Sequence, residues 1–217
     1  MKFKSSLLIS IFFIGLFSQA LAGGKTSEKL FSHAEIVFER SLAGDDSVTA
    51  VALNQFKILS MIYRDNPLFL AYQGACHVLM GRDAWFSWNK KGYTKKGLAQ
   101  LNNALQMLKP KHDYEKMLGA PISVATRLIA VSMFTEVAKS FNHFEKAKVV
   151  LKDIFQSRAF NKALPPLQAR IYLQAAKIAH KENQRDEEMT YLRQILKIAP
   201  QSESAKVARS RLRELDS

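Results

Sequence analysis

The sequence holds a single cysteine, Cys76, so the chain closes no internal disulfide and its stability has to come from packing. Cys76 lies in the apolar run 68–80, where a buried, inert thiol is expected. Catalytic signatures are missing as well: there is no HExxH, no GxSxG and no glycine-rich phosphate loop. The histidines His33, His77, His112, His143 and His180 are scattered singly, so no metal and no cofactor are expected. His112, Asp113 and Glu115 come nearest to a ligand set, but nothing at recognisable spacing completes it, and a solvated connector is the expectation there. These absences argue against an enzyme and leave only a site assembled from distant residues. After the first 22 residues no apolar run approaches the roughly 20 residues of a membrane-spanning helix.

Those first residues, MKFKSSLLISIFFIGLFSQALAGG, have Lys2 and Lys4, an apolar run from Leu7 to Phe17, and then Ala20-Leu21-Ala22. A basic start, a short apolar core and small residues at the cut are the parts of a secretory signal, with cleavage expected after Ala22. No cysteine follows the small residues, so an acyl anchor has no attachment point. The expected mature chain, 23–217, is therefore exported, to the periplasm or beyond. Of 32 Lys and Arg, two leave with the signal, so 30 face 19 acids. That excess favours anionic partners: acidic proteins, lipid head groups or wall polymers. Export takes the chain away from nucleic acid. A basic surface that only keeps the protein soluble is the plainer alternative.

The mature part is written in helical periods. Residues 26–44 and 47–65 read as a hairpin, with Leu30, Phe31, Ala34 and Phe38 marking one face and Ala52, Phe56, Leu59 and Tyr63 the other. Asn66-Pro67 caps and starts the next helix. The segment 67–80 is apolar nearly all round, as befits a helix enclosed by neighbours. Gly74 at its middle predicts close contact with another helix, since glycine there costs about 1 kcal/mol relative to alanine; His77 is expected packed and hydrogen-bonded. Leu98, Leu101 and Ala104 mark the following helix, and 111–120 is a connector with one expected helical turn at Asp113 to Leu118. Pro121 opens a helix lined by Leu128, Val131, Phe134 and Ala138, answered by Ala147, Val150, Leu151, Ile154 and Phe155 after the turn Asn142-His143. Ala169 to Pro200 holds two more amphipathic helices split by the turn Lys181 to Arg185. Ser202 to Leu215 is a terminal helix expected to seal the end with Val207, Leu212 and Leu215, turning Arg209, Arg211 and Arg213 outward.

One stretch departs from this rhythm. Residues 81–96, GRDAWFSWNKKGYTKK, hold both tryptophans of the protein amid cations. Arg82, Trp85, Phe86, Trp88, Lys90, Lys91 and Tyr93 form the candidate partner-binding set, because rings interleaved with cations offer stacking, cation–π contact and charge together. The competing expectation is that the rings fold back over the inner helix while the lysines face water.

Tyr172, Ala175-Ala176 and Ala179, followed by Leu192, Ile195 and Pro200, resemble the two helices of a tetratricopeptide repeat. Phe134-Thr135 with Ala147, Leu151 and Ile154, and Gln73-Gly74 and Gly81 with Gly97, Leu101 and Ala104, match in the same way. The last match requires residues about 82–96 to be an insertion. Glu188 stands where the repeat expects a small residue, and Ala147 and Glu188 are 41 positions apart, against the ~34 of a regular array.

The resemblance implies an all-α fold, an α-solenoid of antiparallel helical hairpins with an aromatic and basic insertion and a C-terminal capping helix. It also implies a concave face on which a protein or peptide is held. The expected function is thus a non-enzymatic, exported interaction scaffold whose partner the basic charge favours being acidic. The alternative is an envelope-surface protein that sits on anionic lipid or wall polymer, and a dispersed-site enzyme comes third.

Overall fold

A computed structural model of the chain describes residues 26–137 and 141–216, and over these the protein is all-α. The segment expected to be a secretory signal and Ala138 lie outside the described residues. The helices are α1 (26–42), α2 (Thr49–Ile62), α3 (Pro67–Asp83), α4 (Ser87–Gln106), α5 (Ile122–Glu136), α6 (Phe144–Gln156), α7 (Arg158–Asn161), α8 (Pro165–Lys181), α9 (Arg185–Ile198) and α10 (Glu203–Asp216). Consecutive helices pack on one another: α2 on α3, α3 on α4, α5 on α6, α8 on α9 and α9 on α10. Helix α5 also reaches back to α3 and α4 and forward to α8, which binds the early and late pairs together.

The starts of these helices follow from local chemistry. The Asn66 side chain accepts the Leu68 N–H at 3.0 Å and Pro67 occupies the first helical position, a cap worth about 1 kcal/mol. The apolar stripes then bury as their spacing requires. Phe31, Ala34, Phe38, Ala52, Phe56 and Leu59 are all in the core, and the Phe56 and Tyr72 rings stack at 4.3 Å. Cys76 is fully enclosed, and burial pushes its thiol up to about 12. His77 donates from Nδ1 to the Gln73 carbonyl at 2.9 Å, and burial pulls its imidazole down.

Two apolar clusters result. The larger joins α1 to α6 and one face of α8; the smaller gathers Ala169, Ala176, Leu192, Ile195, Ala205 and Ala208 between α8, α9 and α10. Helix α8 belongs to both because its alanines are small enough to let a helix approach on either side.

The connector before α5 differs from expectation. It holds no helical turn at Asp113 to Leu118. Instead it has a single 3-10 turn at Pro110–Asp113, then a hairpin of β1 (Lys116–Met117) and β2 (Ala120–Pro121), with Met117 opposite Ala120. Its two-residue loop places Leu118 at φ 47° and Gly119 at φ 82°, the left-handed pair of a type I′ turn. Glycine adopts that conformation freely, whereas leucine pays roughly 1–2 kcal/mol. Leu118→Asn is accordingly expected to stabilise the protein by about 0.5–1 kcal/mol, read as a higher urea midpoint; a lower midpoint would mean that the leucine side chain holds a contact worth more than the strain. His112 is also not in a solvated loop. It is 1% exposed, with Nδ1 accepting the Lys109 N–H at 3.0 Å, and the 3-10 turn that carries it packs against α5.

Candidate functional site

The helices enclose one large groove of about 1050 Å³. Its apolar walls come from Leu42 of α1, Val78 and Leu79 of α3, Leu128 and Met133 of α5 and Leu173 of α8. Residues Glu203 to Val207 of α10 close one side. Six helices contribute to it: α1, α3, α4, α5, α8 and α10.

Charged side chains rim it: Arg82, Lys90, Arg170, Lys177 and Lys206 against Glu39, Glu136 and Glu203. Four of these eight are paired between helices, and Lys206 pairs with Glu203 within α10 at 2.6 Å. Arg170 meets Glu39 at 2.7 Å, tying α8 to α1, and Glu136 lies 3.6 Å from Lys177 and 3.7 Å from Lys181, tying α5 to α8. Each pair is about half exposed and so worth ~0–1 kcal/mol. The Lys90 ammonium forms no ion pair among the described residues. On the α8 wall the Gln174 side-chain oxygen is buried and has no hydrogen-bond partner, a free acceptor beside the apolar wall.

The seven candidate residues do not form one surface. Arg82 is a clasp: it donates to the Ser41 and Leu42 carbonyls at 2.8 and 3.1 Å and bidentately to Asp83 at 2.6 and 2.8 Å. It thereby satisfies the open C-terminal carbonyls of α1, and little of its donor capacity remains for a partner. Lys90 lines the groove. Tyr93 lies against the body of the protein, its ring stacked on His77 at 6.4 Å. Trp85, Phe86, Trp88 and Lys91 stand outside the groove in water, Trp85 being 93% exposed. Of the rings only Tyr93 folds back onto α3; Trp85, Phe86 and Trp88 neither cover it nor line the groove.

Nor is the stretch an inserted loop. The break between α3 and α4 is only residues 84–86, and 87–96 is the first half of α4.

Two carboxylates have partners that the sequence did not predict. Glu35 receives the Tyr72 hydroxyl at 2.7 Å; burial pushes its carboxyl up, opposed by that hydrogen bond and by the Arg170 charge. It sits one position past Ala34 in the apolar stripe of α1, which was the available signal. Glu188, 4% exposed, meets Arg211 at 2.6 Å, and His180 lies against both. Burial alone would lift the Glu188 carboxyl, but Arg211 and His180 hold it below the usual carboxylate range. Arg211 therefore points inward, contrary to the expectation for the terminal helix, because a buried carboxylate on α9 needs a cation. Arg209 and Arg213 are exposed. Val207, expected to seal the end, is instead half exposed on the groove wall, and Ala205, Ala208 and Leu215 do the sealing.

Among the described residues no group of three or more His, Cys, Asp and Glu is placed to hold a metal ion, and no helix is long and apolar enough to cross a membrane. No family model, no curated protein and no solved structure matches the chain.

Proposed function

We propose that the protein is an exported, non-enzymatic interaction scaffold, its hairpins stacked in the manner of tetratricopeptide repeats, which holds a segment of a partner protein in the groove. The observation that carries this reading is the composition of the groove: an apolar wall several helices long, rimmed by five cations and three carboxylates. An amphipathic segment with an acidic flank fits it, its apolar side chains against Leu128, Met133 and Leu173 and its carboxylates toward Lys90 and Lys206. The N-terminal pattern of basic, apolar and small residues supports export, with processing after Ala22.

Length favours a peptide over a small molecule, since small-molecule sites are enclosed clefts that bury most of the ligand, whereas this groove is lined by six helices. A photo-crosslinking residue placed at Leu173 or Val207 in the producing cell is expected to trap a discrete partner polypeptide. The same residue at Val149, 60% exposed on α6 and outside the groove, is expected to trap none. Equal adducts from all three positions, or none from the groove, would defeat the reading.

A further inference from the structure

The tip between α3 and α4 is left without a role by the groove. Residues 85–93 are nine consecutive exposed positions, although they include four large aromatic side chains and begin a regular helix. Trp85, Phe86 and Trp88 are 93%, 51% and 67% exposed, and the Phe86 and Trp88 rings stack at 4.7 Å with 14° between their planes. Isolated exposed apolar residues are ordinary, but a contiguous aromatic cluster at a protruding turn is not. Behind the rings come Lys90, Lys91, Lys95 and Lys96, all exposed. From Ala84 to His112 the chain has no Asp or Glu, so every charge on this stretch is positive. The start of α4 adds to it: Phe86 caps without a side-chain hydrogen bond, so the first N–H groups of a long helix point outward beside the rings.

We propose that this tip is a membrane anchor, which seats Trp85, Phe86 and Trp88 in the interface of an anionic bilayer while the lysines meet the lipid phosphates. The residue types select the bilayer over a protein surface. Tryptophan is enriched at membrane interfaces because its ring is apolar with one polar edge. Lysine is depleted from protein–protein interfaces, whereas its flexible stem lets the ammonium reach the head-group layer while the ring beside it goes deeper. All four cations of the tip helix are lysine. Charge complementarity then requires anionic lipid. The tip also lies at the far end of α1 from Thr26, the first described residue. Arg82 clasps the C-terminal end of α1, whereas Ser27 at its other end meets Tyr63, and a helix of this length separates the two by ~25 Å. The three rings, Lys91, Lys95 and Lys96 lie outside the groove lining, and Lys90 alone belongs to both sites.

Both tryptophans of the protein are in the tip, so its intrinsic fluorescence reports on this site alone. The full chain is to be mixed with vesicles of phosphatidylcholine, with and without about a third of phosphatidylglycerol. With the anionic vesicles the emission is expected to shift to the blue and to be quenched by lipids brominated near the head of the acyl chain. Neutral vesicles are expected to leave it unchanged. The variant Lys90→Glu, Lys91→Glu, Lys95→Glu, Lys96→Glu keeps both reporters and replaces only exposed side chains. It is expected to lose vesicle binding by at least a hundredfold with an unchanged helical circular dichroism spectrum.

Three outcomes would overturn the proposal: no shift with any vesicle, an equal shift with neutral and anionic vesicles, or a shift that persists in the four-lysine variant, which would place the attachment in the N-terminal apolar run. A blue shift given by an acidic amphipathic peptide and not by vesicles would likewise overturn it and assign the tip to a protein partner.

Discussion

Gly97→Val is expected to lower the free energy of unfolding by about 3 kcal/mol, at the upper end of what overpacking costs. Helices α3 and α4 touch backbone to backbone. A Cβ on Gly97 would lie 2.5 Å from the Gly74 carbonyl oxygen and 2.8 Å from the Val78 nitrogen, and one on Gly74 would lie 2.8 Å from the Gly97 carbonyl. Main-chain atoms cannot swing aside as a side chain does, so the helices must separate. Separation would loosen Leu98, Leu101 and Ala104 from the core they share with Leu68 to Leu79.

The same helix supplies the control. A Cβ on Gly92 meets nothing within 4 Å, so Gly92→Ala is expected to stabilise by up to about 1 kcal/mol through helix propensity alone. At roughly 2–4 °C per kcal/mol for a chain of this size, the two variants should melt well apart, on opposite sides of the parent. A Gly97→Val protein that melts with the parent would mean that the two helices are not in backbone contact.

Arg211→Ala is the second large effect. It leaves the Glu188 carboxylate buried and unpaired, and breaking one side of a buried ion pair costs ~3–5 kcal/mol when both partners are enclosed. Arg211 is itself 30% exposed, and the remaining His180 is near, so about 2–3 kcal/mol is expected. The double variant Glu188→Ala, Arg211→Ala removes the stranded charge and should recover much of the loss, a coupling that a double-mutant cycle measures directly.

The pH dependence has a definite sign. The pair holds the folded-state carboxyl below its unfolded value, so its contribution is present above the ordinary glutamate range, near 4.3, and fades as pH falls through the depressed folded value. The difference between parent and Arg211→Ala should therefore shrink on acidification below pH 4. A constant gap from pH 7 to pH 3 would show that Arg211 acts through packing and not through the carboxylate.

These two sites mark different limits of what the residues disclose. Gly74 was legible: a glycine inside an apolar helix is costly, so a close neighbour had to compensate, and Gly97 is that neighbour. Glu188 appeared only as a departure from the repeat pattern, because a carboxylate at a small-residue position says nothing of which cation will come to it. Arg211 lies 23 positions away on another helix, beyond any local spacing rule.

The helices and their inner faces follow from the sequence alone. Turn chemistry at Asn66-Pro67 and apolar spacing at three and four residues act within one or two turns of chain, and the buried stripes of α1, α2, α5 and α6 carry them out. Tertiary structure decided what those helices leave over. Exposure of Trp85 and Trp88, the use of Arg82 as a clasp and the assembly of a groove from α1 through α10 all depend on which surfaces find a neighbour. That is settled by packing between distant segments, and no periodicity along a single helix records it.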